Sequence, residues 1–202
     1  MKKMNVFDPE SQEKDLTAKI TAGLERISQT FKVLLWEKAK ELGLSPIQIQ
    51  ILIFVAHHDR HLANVSHLAQ EFNVTKPTIS DAIKALEKKN LILKDFSSAD
   101  SRSYTIVLSE KGISAVDVSQ DFSNPLYEPL ANLTDTDRAT FFDVLKRLIF
   151  GMNRRGILTV QRTCFGCRFY DKGQEGHYCN LLEKKLEDSK IRLDCPEFES
   201  AT

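Results

Sequence analysis

The 202-residue sequence predicts a mainly α fold with one small β-hairpin and a cysteine-rich C-terminal tail. Three observations predict it. Apolar residues recur at steps of three and four through most of the chain, as they do on one face of a helix. Two β-rich runs, "LILKDF" and "SYTIVLS", flank the polar stretch "SSADSR" near the middle. All four cysteines fall in the last segment, in "TCFGCRFYDKGQEGHYCN" and "RLDCPEF". No internal repeat or low-complexity segment interrupts this plan.

Taken in order, residues 11–42 place Leu16, Ile20, Leu24, Ile27, Phe31, Leu34, Leu35, Ala39 and Leu42 at helical spacing. One long amphipathic helix is expected, closed by Gly43 and packed on something extended, such as a second subunit. In "SPIQIQILIFVAHH" the isoleucines alternate as in a strand. However, Ser45 followed by Pro46 is an N-cap with proline at the first helical position, so a buried helix is expected. "NVSHLAQEFNV" reads as a short helix capped at Asn64 or Ser66, with Leu68, Ala69 and Phe72 facing inward. Asn73 and Val74 turn the chain. Thr75 then caps "TKPTISDAIKALEKKNLI", whose apolar face is Ile79, Ala82, Ile83 and Leu86, and Asn90 stands where a left-handed C-cap is needed. Two short helices joined by a tight turn make a helix-turn-helix. The hairpin follows at once, with its polar tip exposed. Helical periodicity resumes at Ser109, and Pro125 and Pro129 kink or split it. A last long helix opens at Thr134, carries Phe141, Val144, Leu145, Leu148, Ile149 and Met152 on one face, and closes at Gly156.

Composition sets the outer limits. A chain of 23.0 kDa with 42% hydrophobic residues can bury a real core, as one domain with an appendage. Its formal net charge of zero advertises no global field, so any basic surface is local. The opening "MKKMNVFDPESQEKD" begins on two lysines with no apolar h-region behind them, so no signal peptide is expected. "ILIFVA" is too short to span a bilayer. A cytoplasmic location without membrane attachment is therefore expected, where thiols stay reduced.

A helix-turn-helix followed directly by a hairpin is a winged helix, and its second helix can enter a DNA major groove. The start of that helix offers Thr75, Lys76, Thr78, Ser80 and Asp81, all expected to be exposed, with Lys84 a turn later. A helix N-terminus suits a phosphate, and Lys76, Thr78 and Ser80 could reach base edges. At the hairpin tip Arg102 suits a narrow minor groove, and Asp100 could hold it in place. Each residue also has a plain structural reading, as cap, solvated lysine or turn residue, and a winged helix can serve protein binding alone.

The order of elements and the wing "DSRSYTIVLSEKG" resemble the MarR family of bacterial transcriptional regulators. That family's wing reads Asp-x-Arg, a strand ending in Leu-Ser or Leu-Thr, then a charged pair and glycine. Here Asp100, Arg102, Leu108, Ser109, Glu110, Lys111 and Gly112 hold those places. "ALEKKNLI" is similar to the family's Leu-Glu-x-x-Gly-Leu-Ile stretch, with Asn90 in place of the usual glycine. The resemblance spans about residues 16–155. It implies a homodimer built from the first and last helices (about 11–42 and 113–156) around a winged helix at about 45–112. It implies a pseudo-palindromic double-stranded operator, and a small-molecule effector seated between the dimer and DNA-binding parts. The family wing is usually more basic than this tip, which has only Arg102.

Residues 157–202 lie outside that resemblance. Cys164, Cys167, Cys179 and Cys195 follow the spacing CxxC, eleven residues, fifteen residues. Four reduced thiols gathered in one short segment point to metal ligation more than to core packing. Phe165, Phe169, Tyr170, Tyr178, Leu181, Leu182 and Phe198 are expected to shield the centre, and so small a segment needs the metal to fold. Structural zinc usually takes two CxxC knuckles and there is one here, which tips the balance from Zn2+ towards a 4Fe–4S cluster. The CxxCxF, Cys-Leu, Cys pattern is similar to high-potential iron–sulfur proteins. His177 is expected at the surface, and His57, His58, His61 and His67 are an unfavoured second site. A CxxC thiol oxidoreductase is the enzyme alternative, but no βαβ setting precedes the motif. No phosphate loop, nucleophile elbow or carboxylate pair appears, so no enzyme activity is expected.

Overall fold

The computed structural model describes residues 5–97, 104–173 and 176–201. Asp8 caps a short α1 (Pro9–Lys14), and a long α2 (Leu16–Leu42) follows. The single helix expected from residue 11 is therefore two. Asp15 takes an extended conformation (φ −136°, ψ 115°) and its carboxylate accepts from the Thr17 and Ala18 N–H groups, so it ends α1 and caps α2. Gly43 closes α2 in the left-handed region (φ 60°).

Ser45 and Gln48 form a capping box that opens α3 (Pro46–His57), which buries Ile49, Ile51, Leu52 and Phe54. Asn64, not Ser66, caps α4 (Val65–Glu71) by accepting from the His67 N–H. Asn73 turns the chain at φ 51° into α5 (Lys76–Lys88), and Thr75 caps it. Strands β1 (Ile92–Asp95) and β2 (Thr105–Leu108) pair antiparallel, Ile92 opposite Leu108. The Ile106 N–H also donates to the Ala63 carbonyl (2.8 Å), tying the wing to the approach to α4. These elements enclose one core in which Ile51, Leu52, Leu68, Ile79, Ile83, Leu86, Ile92 and Ile106 are wholly or almost wholly buried.

Gly112 sits where α6 (Glu110–Ser119) leaves the wing. A Cβ there would lie 2.0 Å from the Leu91 carbonyl oxygen, so only glycine permits this approach. A 3₁₀ turn at Gln120–Ser123 separates α6 from α7 (Asn124–Ala131); Pro125 opens α7 and Pro129 lies inside it. Thr134 caps α8 (Asp135–Arg154), and Gly156 (φ 71°) turns the chain away. Beyond it come β3 (Tyr170–Gly173), β4 (Gly176–Cys179) and β5 (Lys184–Leu186) in one antiparallel sheet. Among the described residues no single helix is long and apolar enough to cross a membrane.

Candidate nucleic-acid interface and cysteine module

The first turn of α5 faces outward. Thr75, Lys76, Thr78, Asp81 and Lys84 are exposed, whereas Ser80, expected to be exposed, is half-buried. Thr75 Oγ1 accepts from the Thr78 N–H (3.3 Å) and lies 2.8 Å from Thr78 Oγ1, so the two hydroxyls are held as a pair. Lys84 pairs with Asp81 (3.1 Å) in open solvent, which offsets part of its positive charge and leaves Lys76 as the cation nearest the helix start. Asp100 and Arg102 lie outside the described residues.

The cysteines come from three places. Cys164 and Cys167 bracket a 3₁₀ turn (Cys164–Gly166) whose Cys167 N–H donates to the Cys164 carbonyl (3.0 Å). Cys179 ends β4, and Cys195 lies in the C-terminal loop. None is disulfide-bonded, and all four line one slot with Phe169, Tyr170, Leu181, Leu182 and Leu186. Of the expected shield, Phe165, Tyr178 and Phe198 do not line it. Among the described residues no group of three or more His, Cys, Asp or Glu side chains is set to hold a metal ion. Burial pushes the Cys195 thiol up, against the pull of Arg192, whose guanidinium donates to its sulfur (3.4 Å). His177 is not at the open surface. It is half-buried between Tyr170, whose hydroxyl is 2.5 Å from Nδ1, and Asp188 (2.9 Å from Nε2).

Two junctions that the sequence did not single out bind this module to the rest. At the first, Arg162 donates to Glu71 at the end of α4 (2.8 Å) and pairs with Asp194, which also bonds His58 Nε2 at 2.7 Å. Burial works against the Arg162 charge, but its hydrogen bonds to Asp194 and Glu71 prevail and raise its pKa further. Burial likewise lifts Asp194, and the bonds from Arg162 and His58 outweigh it and hold the carboxyl below its ordinary range. At the second, Lys146 of α8 is fully buried and donates to the Asp188 carbonyl (3.0 Å). Its Nζ lies 4.9 Å from the Phe142 ring centre and 5.7 Å from that of Phe165, and Phe165 meets Phe150 edge-on at 6.0 Å. A signal for this was available: Phe142, Lys146 and Phe150 are spaced four apart, so a lysine sits within an apolar stripe. No comparable signal marks Arg162.

Fold and site define a winged-helix protein with an appended cysteine module. Residues 42–103, the segment that holds the helix-turn-helix and the first strand of the wing, match the model of the MarR family. A protein of Thauera aromatica named as a transcriptional regulator for the hcr operon is 33% identical over 91 residues, 41% of this chain and 51% of that one. The chain thus spans about half the length of that relative. The solved transcriptional regulator PA3341 shares the fold at a TM-score of 0.58, with 24% identity over 67% of this chain and 99% of its own. The MepR–DNA complex of S. aureus does so at 0.56, with 20% identity over 65% and 96%. The relatives are transcriptional regulators, not enzymes.

Proposed function

We propose that the chain is a sequence-specific double-stranded DNA-binding transcriptional regulator acting as a homodimer. The observation that carries this is α5. It stands on the outer side of a MarR-family winged helix with Thr75, Lys76 and Thr78 exposed at its N-terminus. The free N–H groups there favour a phosphate, and Lys76 adds a cation at the groove. The dimer reading is supported by the apolar stripe of α2, where Leu16, Ile20, Leu24, Ile27 and Phe31 are each more than two-fifths exposed, and by Phe141 and Val144 on α8. Burying such stripes against a second copy is the simplest way to remove them from water. A groove of about 410 Å³ between α3, β2 and α6, lined by Ile106, Ile113, Val116 and Gln120, is large enough for a small-molecule effector. The four thiols on one slot favour a second element of the reading, in which the module makes the regulator responsive to a metal centre.

The test uses fluorescence anisotropy on a duplex from the gene's own upstream region, together with sedimentation. Wild type is expected to sediment as a dimer and to bind with a steep salt dependence. Lys76→Ala is expected to weaken binding to all duplexes and to reduce the salt slope by about one. A monomer that still binds DNA would overturn the dimer reading. Wild-type affinity in Lys76→Ala and Thr78→Ala alike would remove α5 as the reading helix.

A further inference from the structure

Where the module meets the helix-turn-helix, one carboxylate oxygen stands between two nitrogens. Glu71, the last residue of α4, accepts from Arg162 with both oxygens, Oε2 from Nη1 (2.8 Å) and Oε1 from Nη2 (3.2 Å). Such a forked pair is among the stronger contacts a side chain makes. His67 lies one helical turn before Glu71, and its Nε2 stands 3.6 Å from that same Oε2. The distance is just beyond a hydrogen bond, and this nitrogen is buried without a hydrogen-bond partner among the described residues. The Phe54 ring closes the site. It stacks on His58 at 3.9 Å, tilts against His67 at 5.8 Å, and lies 5.6 Å from the Arg162 guanidinium. An imidazole nitrogen with no partner, buried beside a carboxylate, is a place for a proton.

The charged and titratable groups around His67 are Glu71 on its own helix, Arg162 and Asp194 of the module, His58 at the end of α3 and His61 in the turn before α4. Burial opposes a charge on His67, and so do Arg162, His61 and His58; Glu71 alone favours it. Once charged, His67 has to move only about 0.7 Å to bond Oε2, and it sets a second cation against Arg162. Arg162 is also paired with Asp194. Glu71 can therefore pass to His67 while Arg162 keeps a carboxylate, and the exchange leaves no charge alone. The linker after Gly156 is tied to the same end of α4, because Thr159 Oγ1 donates to the Gln70 carbonyl. The opening is confined to that side, since Lys146 still holds the Asp188 carbonyl to α8.

We propose that His67 is a proton-operated latch: when charged it takes Glu71 from Arg162 and releases the cysteine module from α4. The released chain binds the proton more readily than the docked one, so docking weakens as pH falls below the ordinary histidine range near about 6.5. The end of α4 leads through the turn at Asn73 directly into α5, so release alters the support of the reading helix. That consequence rests on the reading of the chain as a DNA-binding regulator.

The experiment uses the full chain at pH 7.5 and 5.5. Cutting after Gly156 by a non-specific protease is divided by cutting of an unstructured peptide of residues 154–163, which removes the protease's own pH dependence. Circular dichroism follows the helices. In wild type, relative cutting is expected to rise between about threefold and tenfold on acidification, with the helical signal unchanged. His67→Gln, which cannot be charged, is expected to stay resistant at both values. Arg162→Met is expected to be cut readily at both, because the latch is already open. His58→Gln loses its bond to Asp194, and is expected to be cut more at both values while keeping the rise. A rise that persists in His67→Gln, a rise that vanishes in His58→Gln alone, or a wild type cut at one relative rate throughout overturns the latch. Affinity for the upstream duplex is expected to change with pH about fivefold more in wild type than in His67→Gln, within the usual span of coupling between sites. Equal pH dependence in the two proteins overturns the coupling to DNA. A chain whose latch opens but which binds no duplex at either pH overturns the regulator reading and leaves the latch in place.

Discussion

The winged helix and the cysteine module are held together by different means. The winged helix encloses a continuous apolar core from α3 to α6, in which Ile51, Leu52, Ile79, Ile83 and Leu86 have essentially no contact with solvent. Among its described residues the module buries Thr163, Cys164, Leu186 and Ile191, with Phe165, Tyr170 and Cys179 packed against its apolar cluster. What fixes its position lies outside it: Arg162 bonded to α4, Lys146 bonded to the Asp188 carbonyl, and Phe165 edge-on against Phe150. A region with its own core tolerates the loss of one contact. A region without one depends on its clamps.

The largest effect is expected where that comparison is broken in the core. Ile83→Ala or Leu86→Ala leaves a cavity in a fully buried site and should cost about 2–5 kcal/mol. Urea denaturation followed by circular dichroism checks this, and the main helical transition should move with it. Arg162→Met should come next. It leaves the half-buried Glu71 and the exposed Asp194 without their shared cation, at a cost of about 1 kcal/mol to docking. Limited proteolysis should then cut after Gly156 while the main urea transition stays in place. Restoring resistance by adding Glu71→Leu would sharpen the assignment to this junction. Lys146→Met keeps an apolar stem beside Phe142 and Phe165 but leaves the Asp188 carbonyl with only the long bond from the Ile191 N–H (3.4 Å), a loss of about 1 kcal/mol. The same proteolysis should show a smaller gain in cutting.

A pH effect is expected to be smaller still. Burial disfavours the charged form of His67 and lowers its pKa, the pull of Glu71 notwithstanding. The unfolded chain then binds a proton more readily than the folded one, so stability falls as pH drops through the ordinary histidine range near 6.5. Melting temperatures at pH 7.5 and 5.5 should show this slope, and it should flatten in His67→Gln. The smallest effect on stability belongs to Lys76→Ala, which touches nothing buried and should stay within about 0.5 kcal/mol. Its consequence is confined to DNA affinity.

Much of the chain's local structure was written in signals that act over a few residues. Ser45 with Pro46, Thr75 and Thr134 start helices because a side-chain oxygen or a fixed φ satisfies the first turn at once. Gly43, Asn90 and Gly156 end them because those residues enter the left-handed region at little cost. The resemblance to a winged-helix family and the gathering of the cysteines could likewise be read without coordinates. Asp15 shows how a short-range signal can be missed: its capping carboxylate breaks a periodic stretch that reads as one helix.

What the tertiary structure alone decided depends on partners far apart in sequence. Arg162 meets Glu71 across 91 residues, His58 meets Asp194 across 136, and Lys146 meets the Asp188 carbonyl across 42. Spacing places Lys146 within an apolar stripe, but no pattern of spacing names its partner or the other two pairings, because each partner could equally have faced water. The same holds for the half-buried Ser80. Periodicity and capping reach a turn or two along the chain. Only the packed fold shows which distant polar groups had to find one another once water was excluded between them.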